Sequence, residues 1–223
     1  MPEADLDGQT IAERLVGVRR RIEQAGGDPS AIEIVAATKR QSPAACRAAL
    51  AAGLTALGEN RVQEALAKMP QVTGASWHLI GNLQSNKVKH AGSFQLLQSL
   101  DSLRLAEALS QLPAAPVALL QVNVAREEQK HGVLPEAAVA TAVAVAGVIE
   151  LRGFMAMGAG GGGAEASFQE LRRLRDETEQ RLGRPLPVLS MGMSGDLEAA
   201  VRAGSTMLRL GAVLFGPRSL EQR

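Results

Sequence analysis

A lysine at the end of a short apolar segment is the first residue of this sequence that could do covalent chemistry. Lys39 ends the segment 32–39, and because side chains alternate along a strand, it shares a face with Val35 and Ala37. Burial disfavours the ammonium form, and the neutral amine is the form that condenses with a carbonyl to give a Schiff base. The alternative is a lysine that extends from the strand end into water.

A glycine-rich segment at 192–196 could bind an anion. It lies between an apolar segment and the amphipathic stretch 196–203, so Ser194 is a candidate helix N-cap. Free backbone N–H groups at such a position bind phosphate, and glycines let the ligand approach closely. The alternative is an ordinary cap and turn.

Short apolar segments alternate with amphipathic ones along the whole sequence, which predicts alternating strands and helices. The predicted strands span residues 32–39, 56–59, 77–81, 94–100, 117–124, 151–158, 187–191 and 207–215. The predicted helices span residues 10–24, 43–52, 62–68, 84–90, 102–109, 135–146, 164–181 and 196–203. Helices between successive strands imply parallel strands with crossover connections.

Eight such units predict an α/β fold consisting of a single (β/α)8 TIM-type barrel with an N-terminal helix, formed by one domain over residues 1–223. The alternative is an open doubly wound sheet, which would need fewer strands or an inserted domain. In a barrel, the loops that follow the strands form the functional face. Lys39 is predicted to lie on that face.

The composition narrows the classes of function. A formal net charge of +1 and only five aromatic residues, four Phe and Trp77, argue against nucleic-acid binding. Cys46 is the only cysteine, which rules out a disulfide within the chain. The sequence has neither a signal-like N-terminus nor an apolar run of membrane-spanning length, so we expect a cytoplasmic protein without membrane contact. The three histidines lack metal-ligand spacing, so no metal is expected.

Several motifs occur in an order that is typical of one family. The sequence is similar to the pyridoxal phosphate homeostasis proteins, small relatives of the alanine racemase barrel, from about residue 34 to residue 218. The motifs that carry the resemblance are VAATKR (35–40), LGENRVQEA (57–65), WHLIGNLQSNK (77–87), LLQVNVAREEQKHG (119–132), LRGFMAM (151–157) and SMGMSGDLEAAVRAGSTMLRLGAVLFG (190–216).

The resemblance implies which residues bind a cofactor. Lys39 matches the lysine that holds pyridoxal 5′-phosphate (PLP) covalently, as a Schiff base. Arg209 matches the arginine that faces the pyridine nitrogen, where a permanent positive charge opposes protonation of the ring. The phosphate is expected near Ser194 and Gly211. The alternative for Arg209 is a structural ion pair with a buried carboxylate such as Glu59.

Polar residues near the ends of the second and third strands could line the mouth of the site. Asn60 and His78 are the candidates for cofactor binding, although His78 could equally be a buried core histidine. The sequence departs from the family pattern at Arg61, where a tyrosine is frequent, at Gln129, where a serine is frequent, and in the glycine-rich loop 158–163. These departures affect the mouth of the site and not Lys39.

The resemblance implies a non-catalytic protein of PLP (vitamin B6) homeostasis, which buffers the cofactor or delivers it to PLP-dependent apoenzymes. A complete barrel suits a monomer. The alternative is a PLP-dependent amino-acid racemase, but alanine racemase takes one of its two bases from a tyrosine, and this sequence has no tyrosine. A third class, an adaptor for nucleic acid or protein, has only the arginine cluster 19–21 in its favour.

Overall fold

Eight short parallel strands form the centre of the fold. The structure is a computed structural model in which residues 7–160 and 162–216 are described. The strands are β1 (Glu33–Ala37), β2 (Ala56–Glu59), β3 (Ser76–Leu79), β4 (Leu96–Leu100), β5 (Val117–Gln121), β6 (Leu151–Met155), β7 (Val188–Ser190) and β8 (Met207–Leu210). Each pairs with its neighbours in sequence order, and β8 pairs with β1 to close the barrel. The predicted barrel is confirmed.

Helices surround the barrel and follow the strands one by one. The α-helices are α1 (Gly8–Gln24), α2 (Pro43–Ala51), α3 (Val62–Lys68), α4 (Leu103–Ser110), α5 (Pro135–Ala146), α6 (Ala164–Leu182), α7 (Leu197–Arg202) and α8 (Ala212–Phe215). Two 3-10 helices, η1 (Met69–Gln71) and η2 (Ser85–Ser93), complete the connections after β2 and β3. The N-terminal helix α1 packs against α2, α7 and α8.

The alternation of side chains along the strands divides the buried residues into two layers. The larger layer lies between sheet and helices, where Ala36 and Leu57 are fully buried together with apolar helix residues. The smaller layer lies inside the barrel. Its buried members are Val35, Ala56, Leu96, Leu119, Met155 and Met207. One small apolar layer leaves room in the barrel interior for polar side chains.

Local sequence signals fix several element boundaries. Ser42 and Ser102 each accept a hydrogen bond from a backbone N–H of the helix that follows them, which is ordinary N-capping. The glycine after β7 has a structural requirement. Gly192 has φ +100°, and a Cβ at this position would lie 2.5 Å from the Cβ of Ala200 in α7. Only glycine therefore lets this loop turn so closely over α7.

Several predicted elements differ from the structure; β5 and β6, for example, each end three residues before the predicted strands do. β1 ends at Ala37 instead of reaching Lys39, because the backbone turns at Arg40, whose φ is +62°. The last strand, predicted over residues 207–215, ends at Leu210 in the structure, and most of the remaining residues form the single helical turn α8. Residues of the predicted helix 84–90 form the 3-10 helix η2 instead. A short apolar run does not distinguish a strand from a helical turn, which explains the error after Leu210.

Within the described residues, no helix combines the length and the apolar character that crossing a membrane would require.

Candidate functional site

A cavity of about 240 Å³ lies where β1, β2 and β8 end. Its walls are the loops that follow these three strands and the short helix α8. The lining residues are Ala37, Lys39, Arg40, Gln41, Asn60, Arg61, Gly211, Ala212, Phe215 and Gly216. Three of the six residues predicted to bind a cofactor, Lys39, Asn60 and Gly211, therefore line one cavity. It lies on the face of the barrel where ligand sites are expected.

Lys39 lines this cavity from the loop after β1 and is exposed, not buried. The expectation of a buried lysine was wrong because the strand ends two residues earlier and the chain turns outward at Arg40. The flanking residues are well anchored. The buried Thr38 donates its hydroxyl to a Glu59 carboxylate oxygen at 2.7 Å, and the Arg40 backbone N–H donates to Glu64. Lys39 thus lies between two fixed residues.

A buried ion pair lies behind the Lys39 loop. The Lys68 ammonium is 2.7 Å from carboxylate oxygens of Glu59 and Glu64, and it donates to the Thr38 carbonyl at 2.8 Å. Burial alone would lower the pKa of Lys68, but the hydrogen bonds to the two carboxylates raise it above its ordinary value. Lys68 is therefore a charged brace that joins α3 to the ends of β1 and β2. The alternative for Arg209, an ion pair with Glu59, is not found among the described residues, since Glu59 pairs with Lys68.

Asn60 forms the wall of the cavity at the end of β2. Its side-chain oxygen is buried and has no hydrogen-bond partner among the described residues. A Cβ on Gly81 would lie 2.3 Å from the Asn60 carbonyl oxygen, so the next loop packs directly on the Asn60 backbone. A buried acceptor without a partner at a cavity wall is a group that a bound ligand or water commonly satisfies.

Ser194 joins the loops after β7 and β8. Its hydroxyl accepts a hydrogen bond from the backbone N–H of Val213 at 3.4 Å, and its carbonyl accepts one from Arg21 at 3.1 Å. The prediction that Ser194 caps a helix was wrong, since α7 begins later and its N-cap is Asp196. Ser194 nevertheless lies against the start of α8, which contributes to the cavity wall.

Arg209 points into the barrel interior from β8, with 5% of its surface exposed. One guanidinium nitrogen, Nη1, donates to the Ser190 hydroxyl at 2.7 Å and to the Ser190 carbonyl at 2.8 Å. The other, Nη2, donates to the Ala156 carbonyl at 2.8 Å. Burial lowers the pKa of Arg209 to about 10, so the side chain stays charged at neutral pH. Neutral oxygens hold this cation, which leaves its positive charge unpaired by a carboxylate among the described residues.

His78 lies inside the barrel on β3 and is not among the cavity-lining residues. Its Nδ1 is 3.1 Å from the Gln98 side-chain nitrogen, and its Nε2 is 3.2 Å from the Ser76 hydroxyl. Burial lowers the pKa of His78 to about 4, so the ring is neutral at pH 7. The alternative of a buried core histidine with satisfied nitrogens therefore describes its surroundings.

Three residues around the site were missed by sequence reasoning: Lys68, Gln98 and Ser190. A signal existed for Gln98, since it is a polar residue within the apolar strand β4, two positions after the inward-facing Leu96. Ser190 has the same signal in β7. For Lys68 the sequence shows only an i,i+4 spacing from Glu64, and only the fold brings Glu59 to it.

The residues that depart from the family pattern lie around the mouth. Arg61 lines the main cavity and also a neighbouring hollow that Lys87 and His131 share. Gln129 is exposed and donates to Glu127. Of the glycine-rich loop, residues 158–160 and 162–163 connect β6 to α6, and residue 161 lies outside the described part of the chain.

No group of three or more His, Cys, Asp or Glu side chains with the arrangement of a metal site occurs in residues 7–160 and 162–216. The cavity is lined by donors of another kind, among them a lysine, two arginines, two amide residues and the backbone at the start of α8. An amine can bond to a carbonyl carbon, and backbone N–H groups can bind an anion. This donor set fits a small ligand that carries an aldehyde and a phosphate.

Comparisons with known proteins agree with this chemistry. The family described as alanine racemase, N-terminal domain, matches residues 9–219. The pyridoxal phosphate homeostasis protein of Pseudomonas aeruginosa is 43% identical, over 94% of this chain and 96% of the relative. The structure of PipY from Synechococcus elongatus with PLP bound has a TM-score of 0.80 and 34% identity, over 92% of this chain and all of PipY. Alanine racemase from Corynebacterium glutamicum, at 16% identity and a TM-score of 0.71, shares the fold over 97% of this chain and 63% of its own.

Proposed function

The chain belongs to the alanine racemase N-terminal domain family and, within it, to the pyridoxal phosphate homeostasis proteins, and we propose from this membership that it binds PLP as a Schiff base on Lys39. The observation that carries the proposal is the cavity after β1, β2 and β8, in which Lys39 is the only lysine among the lining residues. Bound PLP would supply an aldehyde for the Lys39 amine and a phosphate for the backbone at the start of α8.

The phosphate end is assigned to the loops after β7 and β8. Gly211 lines the cavity and immediately precedes α8. The Ser194 hydroxyl, which already accepts from Val213, retains its own proton for donation to an anion. A phosphate site formed after the seventh and eighth strands is frequent in barrels of this type.

Arg209 is assigned to the pyridine nitrogen of PLP. Its three hydrogen bonds to Ser190 and Ala156 engage both Nη1 protons and one Nη2 proton, and the Nε–H has no acceptor among the described residues. A charged guanidinium donates to the ring nitrogen and opposes its protonation. An unprotonated ring is a weaker electron sink, which suits a protein that holds the cofactor without reacting it.

The proposed role is therefore to buffer PLP and to deliver it to PLP-dependent apoenzymes. Racemisation would need a second base facing Lys39 across a substrate, and the sequence has no tyrosine to match the one in alanine racemase. The purified protein with PLP should not interconvert L- and D-alanine. Sustained racemisation that disappears in Lys39→Ala would refute the non-catalytic role and favour the racemase.

The attachment site is tested by absorbance and chemical trapping. The protein mixed with PLP should develop a yellow absorbance band, and borohydride reduction followed by peptide mapping should locate the adduct on Lys39. Lys39→Arg should give no adduct, because a guanidinium does not form this bond at neutral pH. Lys89→Arg, an exposed lysine of η2 outside the cavity lining, is the matched control and should react like the wild type. An adduct on another lysine in both variants would refute the assignment.

Delivery is tested by mixing the PLP-loaded protein with an apoenzyme that requires PLP, in the presence of a phosphatase that destroys free PLP. Direct transfer predicts that the apoenzyme still becomes active, whereas free PLP at the same concentration is destroyed first. Loss of activation to the level of the free-PLP control would mean that the protein only buffers the cofactor.

A further inference from the structure

A continuous chain of hydrogen bonds crosses the interior of the barrel beneath the site. Arg209 Nη1 is 2.7 Å from the Ser190 hydroxyl, which is 2.6 Å from the Gln98 side-chain oxygen. The Gln98 nitrogen is 3.1 Å from His78 Nδ1. His78 Nε2 is in turn 3.2 Å from the Ser76 hydroxyl at the other end of β3. This interior chain comprises Arg209, Ser190, Gln98, His78 and Ser76.

The interior chain has one consistent direction of donation. The guanidinium can only donate, so the Ser190 hydroxyl accepts from it and donates its own proton to the Gln98 oxygen. The Gln98 amide nitrogen then donates to His78 Nδ1, which is possible only if the ring is neutral with its proton on Nε2. Burial, which keeps the pKa of His78 low, favours the same neutral state.

Gln98 makes the contact that spans the barrel. It belongs to β4 and Ser190 belongs to β7, two strands that are not neighbours in the sheet, so their hydrogen bond crosses the interior. The Gln98 nitrogen also lies 3.2 Å from the Met207 sulfur on β8. Gln98 is fully buried, and both ends of its amide are engaged. A fully satisfied buried network of this kind restricts its members to one arrangement.

Arg209 depends on this arrangement for its orientation. No carboxylate among the described residues holds the guanidinium, and its two Nη1 contacts are both made to Ser190. The Ser190 hydroxyl can point toward Gln98 only while the Gln98 oxygen is there to accept its proton. Without that acceptor the hydroxyl is free to rotate. One of the three hydrogen bonds that orient the guanidinium is then weakened, while those to the Ser190 and Ala156 carbonyls remain, so the direction of the Nε–H is less sharply defined.

We propose that Gln98 is a positioning residue of the cofactor site: through Ser190 it orients the Arg209 guanidinium toward the ring nitrogen of bound PLP, while the neutral His78 holds the far end of its amide. This inference rests on the proposed function, because Arg209 acts on PLP only if PLP is bound. None of Gln98, Ser190 and Arg209 is among the residues that line the cavity, but Arg209 precedes the lining Gly211 by two positions. Its effect on the cofactor is therefore transmitted through Ser190 and Arg209.

The test replaces Gln98 by methionine, which keeps the volume but removes the hydrogen bonds to Ser190 and His78. In Gln98→Met we expect the absorbance maximum of bound PLP to shift and PLP to dissociate about threefold to tenfold faster, as is usual for the loss of one hydrogen bond. The ¹⁵N signal of Arg209 Nε should broaden or shift even without PLP. Ser190→Ala should reproduce these changes, and the double variant should add nothing, because both substitutions break the same chain.

Gln98→Glu is the second variant in case methionine prevents folding. A carboxylate still accepts from Ser190, so the PLP spectrum should stay near that of the wild type. A carboxylate oxygen in place of the amide N–H can accept from a protonated Nδ1, so the pKa of His78 should rise, which ¹⁵N signals of the imidazole would report. If the wild type binds PLP and Gln98→Met leaves spectrum and dissociation rate unchanged, the positioning role is wrong. If the wild type does not bind PLP at all, the proposed function fails, and this inference fails with it.

Discussion

The lysine that the sequence singles out is supported by charges that do not touch the cavity. Thr38 and Arg40, on either side of Lys39, are both tied to the cluster formed by Lys68, Glu59 and Glu64. Lys68 and Glu59 are almost wholly buried. Removing one partner of a buried ion pair leaves the other charge without compensation, which is far more destabilising than losing a surface pair.

We therefore expect Lys68→Met to lower the free energy of unfolding by about 3 kcal/mol or more. Because the cluster fixes the loop that carries Lys39, PLP should also form its reducible adduct more slowly. Urea unfolding and the rate of the absorbance change would measure the two effects. Arg173→Met, which breaks the exposed pair with Glu177, is the control and should change the stability by less than about 1 kcal/mol. Equal losses of unfolding free energy in both variants would contradict the role of Lys68 as a brace between α3 and the strand ends.

His78 predicts how stability depends on pH. Its pKa is about 4 in the folded protein and 6.5 in an unfolded chain, so the unfolded state takes up a proton first on acidification. Stability should fall as the pH drops from about 6.5 to about 4, by at most roughly 3 kcal/mol from this residue. His78→Gln can keep both hydrogen bonds without titrating. The urea midpoint of the variant should fall less steeply with decreasing pH than that of the wild type. If the midpoints of both proteins fall in parallel, His78 is not a neutral buried ring.

The residue types of the site could be predicted from sequence, but their surroundings could not. Lys39 and Gly211 were expected at a common site and line a common cavity. The exposure of Lys39 depends on a backbone turn at Arg40, and arginine is not a residue type that signals positive φ. The partner of Glu59 was missed because Lys68 and Arg209 are both cations, and only the packing of α3 against the barrel brings Lys68 to it.

At the scale of elements, the N-terminal helix supports the wall of the cavity from outside. The Arg14 side chain in α1 donates to the Leu214 carbonyl of α8 at 2.7 Å, and Arg21 pairs with Glu198 of α7 at 2.6 Å. α8 in turn lines the cavity through Ala212 and Phe215. α1 is thus part of the support of the proposed phosphate site, although none of its residues lines the cavity.

We expect Arg14→Met to speed the dissociation of PLP about threefold to tenfold, because one hydrogen bond that positions α8 is lost. Arg20→Met changes an exposed arginine of the same helix and is the matched control. Dialysis of the loaded proteins, followed by absorbance, would give both rates. Identical rates for the two variants would show that α8 holds its position without α1.

The number and order of elements could be predicted, whereas some of their ends could not. Alternating apolar and amphipathic segments suffice for eight strands and the helices between them. The end of β8 was missed because Leu210 and the apolar residues of α8 form one hydrophobic run. The cap of α7 was missed because Ser194 and Asp196 are both good capping residues by type, and only the observed start of the helix at Leu197 distinguishes them.

At the scale of the whole molecule, the site lies on the seam where the first and last strands meet. β1 and β8 pair over four residues, and the cavity walls come from the loops after β1, β2 and β8. A ligand in this cavity contacts parts of the chain that are far apart in sequence. Binding should therefore stabilise the closure of the barrel and not merely one loop.

PLP at 100 times its dissociation constant should raise the free energy of unfolding by about 2.7 kcal/mol. Bound PLP should slow amide hydrogen exchange most in β1, β2 and β8. The exchange of β5, which contributes no residue to the cavity lining, should slow least. Lys39→Ala should lose most of the stabilisation. Thermal unfolding and exchange measured by mass spectrometry would test this. Protection centred on β5 would place the ligand elsewhere in the barrel.

The position of the cavity on the seam also has a consequence for biosynthesis. Lys39 leaves the ribosome early, but the opposite wall, residues 211–216, is made only after all eight strands. A nascent chain consequently displays a lysine that has no cavity around it. The proposed ability to hold PLP would then be acquired in one step, when the last strand pairs with the first. Translation that stops before residue 207 would yield chains that bear the lysine and still lack the opposite wall of the site.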